Sequence, residues 1–296
     1  MNGVRVRDVA LLACPACGGA LVFHGLETDG CIRDGWLRCG GCGEAWSVAR
    51  GMARLYREDA VRGTDRLMRV IYDGLPVLHD PLTTLLTPLL QSVSEARMRA
   101  GYMRRVELGS LTPHEDGRPV RVLEVGVGSG ANLPLLRDGL PPGLDVEVWG
   151  VDLSEGMLKH CKRRLRSGDC AGVRLMMADA HALPFPDASF DRVFHVGGIG
   201  GYRAPERALA EMARVAKPGT PLVVVDEQMD PAFRPSLFQR AAFRAMTFYS
   251  WDPHSPRELL PPGAFDVTEE QVAPFYYCLS FRMPEVDSAS ADARHG

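Results

Sequence analysis

The sequence predicts an α/β fold in which a mostly parallel sheet, covered by helices, follows a small ribbon of short strands. The first observation is that apolar runs alternate with segments of helical periodicity from Val120 to about residue 227. Strands separated by helices are typical of a parallel sheet with helices on both faces. The second observation is two C-x-x-C units before residue 58, separated by β-like and glycine-rich runs. Such paired units indicate a metal-bound ribbon.

The composition is that of a globular protein with at least one sizeable core. Of the 296 residues, 46% are hydrophobic and 24% are charged, which is compatible with two domains, one of them small. The net charge of -3 gives no general attraction for phosphate backbones, so RNA binding would need a local basic patch. No stretch reaches the roughly 20 apolar residues of a spanning helix, and no signal peptide precedes the cysteines. The sequence therefore predicts a cytoplasmic protein without a membrane span.

Four cysteines form the N-terminal motif, in a domain predicted to cover residues 1–58. They are Cys14 with Cys17 and Cys39 with Cys42. A glycine shortly after each pair lets backbone amides approach the sulfurs, and four thiolates are a tetrahedral set that Zn²⁺ prefers. Because no position is left open for water, the predicted zinc is structural. An unmetallated or redox-active dithiol is the alternative interpretation.

Three further regions follow the ribbon. Residues 59–118 carry apolar residues at helical spacing, divided by prolines, and are predicted to be helical. Residues 119–287 carry the alternating strands and helices, and their last two β-like runs are predicted to form a hairpin. Inside this region, residues 229–262 interrupt the alternation, and we place substrate recognition there. The small, polar residues 288–296 are predicted to be disordered.

The most informative motif joins the first strand of this region to a short helix. It begins with Glu124 and continues with Gly126, Gly128 and Gly130. Alternate glycines allow a tight turn and a close approach to a ligand. The acidic residue would repel a pyrophosphate but suits a ligand with an amino group and a sulfonium. The next strand ends in Asp152, where a carboxylate can accept both hydroxyls of a ribose. The alternative is that these carboxylates only cap helices.

Further motifs carry a family resemblance. The third strand ends in Asp179 and Ala180, which begin the pattern D-A-x-x-L-P-F-x-D-x-x-F-D, and EMARVAKPG follows it. In this order the motifs resemble those of class I S-adenosylmethionine-dependent methyltransferases, in particular the ubiquinone and menaquinone biosynthesis type, over residues 66–284. The resemblance implies a Rossmann-like, seven-stranded and mostly parallel sheet whose last strand is antiparallel. It also implies S-adenosyl-L-methionine as the cofactor.

The resemblance also implies roles for single residues. Glu124 would act on the methionine amino group, the three glycines would line the methionine part, and Asp152 with Leu153 would hold the ribose. Asp179 with Ala180 would contact the adenine. Residues 59–118 would cover the cofactor, since the Tyr-Asp pair at Tyr72 and the His-Asp pair at His79 resemble two aromatic-Asp pairs of the quinone-type members. A histidine replaces the usual tyrosine at His79, and ordinary helix packing is the alternative for both residues.

Two residues near the carboxyl end of the sheet are candidates for a general base. His195 lies on the fourth strand, and Tyr202 follows the glycine-rich segment after it. A base is useful if the acceptor is a hydroxyl or an acidic carbon, because the nucleophile loses a proton. The alternative for His195 is a strand residue that is satisfied by hydrogen bonds.

The sequence supports three hypotheses about function. The first is O-, C- or N-methylation of a phenolic, quinone-like or secondary-metabolite small molecule, because the aromatic stretch at 231–251 could form a lid over an apolar pocket. The second is methylation of a ribosomal RNA base, with the ribbon docking the RNA, because a ribbon before a class I domain resembles bacterial ribosomal RNA guanine methyltransferases. Its candidate RNA contacts are Arg33, Arg38, Arg50, Arg54 and Arg57 in or after the ribbon, and Lys162, Arg163, Arg164 and Arg166 on one predicted helix. The third is a cofactor-binding scaffold without catalysis. The oligomeric state is left open.

Overall fold

The structure, a computed structural model, describes residues 4–74, 91, 93–166 and 172–285. His79 and the tail at 288–296 lie outside the described residues, so the expectations for them stay predictions. The strands are β1 Leu21–Thr28, β2 Cys31–Cys39, β3 Ala45–Ala49, β4 Met52–Leu55, β5 Val120–Val125, β6 Val146–Asp152, β7 Arg174–Ala178, β8 Arg192–Val196, β9 Leu222–Glu227, β10 Phe265–Ala273 and β11 Tyr276–Arg282. Among these described residues, the helices are α1 Gly63–Gly74, α2 Glu95–Met103, α3 Leu133–Gly139, α4 Glu155–Arg166, α5 Pro205–Val215 and α6 Leu237–Met246.

Seven of the strands form the predicted core sheet. Their order is β7-β6-β5-β8-β9-β11-β10. The first five are mutually parallel, whereas β11 runs antiparallel to both β9 and β10. The predicted fold, a mostly parallel Rossmann-like sheet with an antiparallel last strand, is therefore confirmed.

The interior strands are buried because helices cover both faces. Every residue of β7 is buried, as are all but the last residue of β8 and of β9. Their continuous apolar character is typical of parallel strands without a solvated face. Trp149, Phe185 and Phe190 pack edge to face below them, with ring centroids 4.7 to 6.4 Å apart. This packing fixes the positions of the strand ends.

The ribbon is joined to the core sheet, a connection that the sequence pattern does not predict. Strands β1 to β4 form an antiparallel meander, and β4 pairs in parallel with β7 through Arg54↔Met177 and Leu55↔Ala178. Within the described residues, the strands thus form one sheet of eleven. The side chain of Arg174 on β7 lies 3.1 Å from the buried carboxylate of Asp8, near the N-terminus, and so adds an ionic contact between the two parts.

The two regions predicted around the core are partly helical. In 59–118 the described residues form α1, α2 and three short 3₁₀ turns. In 229–262 they form α6 and one 3₁₀ turn, between β9 and β10. No helix of the described residues is long and apolar enough to cross a membrane.

Candidate active site

The carboxyl ends of the parallel strands surround one cavity of about 490 Å³. Five of these strands contribute to its wall, together with residues from α1, α2 and the segment after α6. We call the part around the ends of β5, β6 and β7 the β6 side, and the part around the ends of β8 and β9 the β9 side. A cleft at the carboxyl edge of an open parallel sheet is where such folds bind small molecules.

The glycine turn brings the backbone of the β6 side close to its neighbours. Gly126 has φ of +71°, and a Cβ there would lie 3.1 Å from the ring of His195 and 3.4 Å from the hydroxyl of Tyr202. Gly126 and Gly128 line the cavity. Gly130 does not belong to its lining; a Cβ there would lie 2.6 Å from the sulfur of Cys161. Gly130 therefore serves the packing behind the turn.

Glu124 is the most deeply buried carboxyl group of the cavity wall, with 1% exposure. Its Oε1 accepts a hydrogen bond from Nδ2 of Asn132 at 2.6 Å, and Oδ1 of Asn132 accepts one from the hydroxyl of Tyr102 at 2.6 Å. Its Oε2 is buried and has no hydrogen-bond partner among the described residues. Burial raises the pKa of Glu124 to about 8. An unsatisfied buried acceptor is costly, so the site fits a ligand that brings a cationic donor.

Asp152 holds the glycine turn and still faces the cavity. Its two oxygens accept backbone N–H groups of Gly128 and Ser154, each at 2.8 Å. Leu153 also lines the cavity. Burial raises the pKa of Asp152, and the backbone donors favour the ionised form. A carboxylate oxygen has two lone pairs, so Asp152 can still accept hydrogen bonds from a pair of ligand hydroxyls.

Asp179 belongs to a buried polar network that the sequence analysis missed. Its carboxylate accepts hydrogen bonds from Nδ1 of His181 at 2.6 Å and from Nη2 of Arg203 at 2.7 Å. Burial opposes ionisation, but these bonds outweigh it and hold the pKa of Asp179 at about 2. Arg203 also pairs with Asp65 on α1. The network therefore ties α1 to the end of β7, and Ala180 lines the cavity beside it.

The other end of α1 is attached in a similar way. Oδ1 of Asp73 accepts hydrogen bonds from Oγ of Ser154 at 2.6 Å and from the backbone N–H of Gly156 at 2.8 Å. A carboxylate at this position satisfies free amides at the start of α4. Tyr72, the residue before it, lines the cavity. The structure thus brings Tyr72 to the wall, and the cause of its position is the Asp73 cap.

The β9 side contains two neighbouring carboxyl groups that the sequence analysis missed, the buried Asp226 and the partly buried Glu227. Asp226 accepts backbone N–H groups of Gly198 and Gly200 at 2.8 and 2.7 Å. Glu227 lines the cavity and accepts a hydrogen bond from the hydroxyl of Tyr249 at 2.6 Å. Burial and the neighbouring carboxylate raise the pKa of Glu227 well above its ordinary value. The raised pKa favours the protonated, neutral form of Glu227.

The two predicted base candidates lie in different places. Tyr202 lines the cavity, and its ring lies 5.4 Å from those of His181 and His195. His195 is fully buried and is not among the lining residues. Its Nδ1 donates to the backbone carbonyl of Val125 at 2.8 Å, and burial lowers its pKa. The structure therefore brings Tyr202, but not His195, to the surface that a ligand can reach.

The four predicted metal ligands come together in the ribbon. Their sulfurs all lie within 4.8 Å of one another, with 3.7 Å between Cys14 and Cys42 and 3.5 Å between Cys17 and Cys39. A tetrahedral site with Zn–S bonds of about 2.3 Å has sulfurs about 3.8 Å apart. The backbone amide of Gly41 donates to the sulfur of Cys39 at 3.3 Å. The donor set and its spacing fit a zinc ion.

Known proteins share this fold and its motifs. Residues 123–224 match the family described as a methyltransferase domain. A demethylmenaquinone methyltransferase from Thermus thermophilus is 34% identical over 164 residues, which cover 55% of this chain and 69% of that protein. A phosphatidylethanolamine N-methyltransferase from Cereibacter sphaeroides is 38% identical over 114 residues, 38% of this chain and 53% of that protein. The chain spans only about half the length of several curated relatives.

A solved structure has the same fold at low sequence identity. It is phosphoethanolamine N-methyltransferase 2 from Haemonchus contortus in complex with S-adenosyl-L-methionine, with a TM-score of 0.55 and 14% identity, covering 81% of this chain and 64% of that one. The sheet and its cavity define an α/β protein that binds a small molecule at the carboxyl edge of its strands. With the sequence relatives, the chain belongs to the class I S-adenosylmethionine-dependent methyltransferases.

Proposed function

We propose that the protein transfers a methyl group from S-adenosylmethionine to a small-molecule acceptor. The observation that carries the proposal is Oε2 of Glu124, which has no hydrogen-bond partner in the part of the chain that the structure describes. It is buried in the cavity wall, where the amino group of a methionine could satisfy it. When bound, S-adenosylmethionine supplies an electrophilic methyl on its sulfonium. The chain's own residues bind and orient the two reactants and exclude water from the cavity. An in-line transfer requires little more than this.

The β6 side would hold the cofactor. Glu124 would accept the amino group, and Asp152 with Leu153 would hold the ribose. Asp179 with Ala180 would contact the adenine, while Arg203 and His181 keep the carboxylate of Asp179 ionised. Gly126 and Gly128 would leave room for the methionine part, Tyr72 would cover it, and Gly130 would pack behind the turn. Each assignment depends on a lining position or a hydrogen bond of the described residues.

The β9 side would hold the acceptor. If the acceptor is a hydroxyl or a protonated amine, it must lose a proton. Glu227 is the carboxyl group that lines this side, and it would accept that proton in its ionised form, whose share grows as the pH rises toward its raised pKa. The hydroxyl of Tyr249 would orient Glu227. Tyr202 would shape the wall between the two sides. His195 would act by position, because its hydrogen bond to Val125 holds the strand end that precedes the glycine turn.

The lining favours a small, partly apolar acceptor. Met246, Phe248 and Tyr276 contribute apolar surface to the β9 side. The relatives named for demethylmenaquinone and phosphatidylethanolamine suggest carbon and nitrogen acceptors, so O-, C- and N-methylation are all retained. RNA is not favoured, because two of the ribbon arginines are engaged: Arg54 pairs with Glu155 at 2.7 Å and Arg57 with Asp59 at 2.9 Å. A scaffold role is not favoured either, since the binding residues are intact.

The remaining parts have supporting roles in the proposal. The cluster of Cys14, Cys17, Cys39 and Cys42 would hold a structural Zn²⁺ that stabilises residues 1–58. Residues 59–118 would cover the cofactor, and residues 229–262 would form the lid over the acceptor. The cytoplasm is the proposed location.

A labelling experiment tests the proposal. The purified protein is incubated with methyl-labelled S-adenosylmethionine and a cell extract separated into RNA and small-molecule fractions. We expect label in the small-molecule fraction and much less with Asp152→Ala, which should weaken cofactor binding by ~1 to 3 kcal/mol through the loss of a charged hydrogen-bond acceptor.

Three outcomes would count against parts of the proposal. Label that enters RNA would show that the acceptor is RNA and not a small molecule. Label in neither fraction would contradict the proposed methyl transfer. Unchanged cofactor affinity of Asp152→Ala in calorimetry would remove the ribose assignment.

A further inference from the structure

The outward face of α6 exposes large apolar side chains beside the cavity. Leu237 is 87% exposed and Phe238 65%, and the segment after the helix adds Phe248 at 56% and Trp251 at 90%. The inward face is well packed: Phe243 is 4% exposed and its ring lies 5.0 Å from that of Phe275. The helix is therefore anchored by one side and presents the other to its surroundings.

The exposed face has an order along the helix. At about 100° per residue, Leu237 and Phe238 share one stripe with two small residues, Ala241 and Ala245, and all four are exposed or nearly so. Arg240 and Arg244 form a second stripe next to it, since residues four apart are neighbours on a helix. An apolar stripe beside a basic stripe is the pattern of helices that lie in a lipid interface.

The charge of this region differs from that of the whole chain. Residues 231–251 contain Arg234, Arg240 and Arg244 and no Asp or Glu, although the chain has a net charge of -3. Asp230 and Asp252 flank the segment. Over the described ranges, no carboxylate pairs with any of the three arginines. The guanidinium of Arg244 instead lies 5.4 Å from the ring of Trp251, and tryptophan favours the boundary between lipid and water.

The basic and apolar face continues into the wall of the cavity. Met246, at the end of α6, and Phe248 both line it. We propose that the outward face of α6, with Phe248 and Trp251, docks on the surface of an anionic lipid bilayer. In this arrangement Leu237, Phe238 and Trp251 enter the interface, and the three arginines contact lipid phosphates. The inference goes beyond the proposed function, since docking requires no turnover.

Vesicle sedimentation of the full chain tests the proposal. One set of vesicles contains phosphatidylcholine with phosphatidylglycerol, and the other contains phosphatidylcholine alone. We expect binding to the first set only, weakened by salt. Arg240→Gln with Arg244→Gln should weaken it more than about tenfold, because each basic residue near an anionic surface contributes about a fivefold factor. Leu237→Ser with Phe238→Ser should weaken it to a similar degree.

Matched control variants distinguish binding through this face from nonspecific adsorption of the protein to vesicles. Val22→Ser with Leu26→Ser removes two exposed apolar residues of β1, and Arg97→Gln with Arg163→Gln removes two exposed charges elsewhere; both should bind vesicles as the unmodified chain does. The substituted α6 side chains are exposed, so the unfolding temperature should not change. Absence of binding, equal binding to both vesicle types, or a concentration-dependent dimer that Leu237→Ser abolishes would each overturn the proposal.

Discussion

The two sides of the cavity are built from different kinds of chain segment. On the β6 side, Glu124, Asp152 and Asp179 each lie at or near the end of one strand. Backbone N–H groups hold Asp152 and Asp179, and the side chain of Asn132 holds Glu124. On the β9 side, Glu227 ends a strand, but Tyr249 comes from the segment after α6 and Tyr276 from β11. The proposed cofactor site is thus specified by local motifs, whereas the proposed acceptor site is assembled from distant segments. The three predictions below test this difference.

The largest effect on stability is expected from substitutions in the ribbon, which adjoins the β6 side of the cavity and not the β9 side. Cys14→Ser with Cys17→Ser should release zinc, whose binding contributes on the order of 10 kcal/mol to small zinc domains. Because β4 pairs with β7 and is separated from β9 by four strands, hydrogen exchange should increase in the ribbon and β7 but not in β9. Cys31→Ser, outside the cluster, should retain the metal. Elemental analysis without zinc in the unmodified protein would contradict the metal assignment.

An effect of intermediate size, on cofactor affinity, is expected from substitution of Glu124. In the ligand-free cavity its pKa is about 8, raised from an ordinary value of 4.5. Its contribution to the free energy of unfolding is therefore largest at low pH and is lost as the pH rises through about 8. A ligand ammonium favours the carboxylate, so binding of S-adenosylmethionine should release a proton and strengthen as the pH rises toward 8. Glu124→Gln should weaken binding by about 1.5 to 3 kcal/mol, the contribution of a charged hydrogen bond, and remove the pH dependence.

Calorimetry in buffers of different ionisation enthalpy measures both quantities for Glu124. The exposed Glu115→Gln serves as the control and should behave as the unmodified chain. If Glu124→Gln keeps the pH dependence, another group titrates on binding and the amino-group assignment is wrong.

The smallest effect on the cofactor is expected at Glu227. Glu227→Gln should change the affinity for S-adenosylmethionine by less than about 0.5 kcal/mol, as for a residue away from the contact, yet abolish label transfer to a proton-losing acceptor. Tyr249→Phe keeps the ring and should reduce transfer less. Calorimetry and the label assay measure the two effects separately. A large loss of affinity for S-adenosylmethionine would show that Glu227 also contributes to cofactor binding. Undiminished label transfer would show that Glu227 is not the base.

The same difference explains what the sequence could predict. Glu124, Asp152 and Asp179 were predicted because a strand pattern and a nearby motif place each one. Tyr72 was predicted only from the resemblance of its Tyr-Asp pair to quinone-type members, and the cap that Asp73 forms on α4 has no signal in the sequence. Arg203 and Glu227 were missed, because their partners Asp65 and Tyr249 lie 138 and 22 residues away. His195 was predicted from its strand, but alternation along a strand does not reveal that it points away from the cavity. The core sheet followed from periodicity, whereas the β4 to β7 pairing has no local signal.

That pairing also matters for solubility. In a sheet of seven strands, β7 would be an edge, and its sequence RLMMA carries the unpaired N–H and C=O groups of an edge beside apolar side chains. Exposed edges of this kind template pairing with other chains. Through Arg54 and Leu55, β4 covers the carboxyl half of β7 and moves the open edge to β1 at the far end of the ribbon. The ribbon therefore covers the half of this edge strand that would otherwise be open to pairing with another chain.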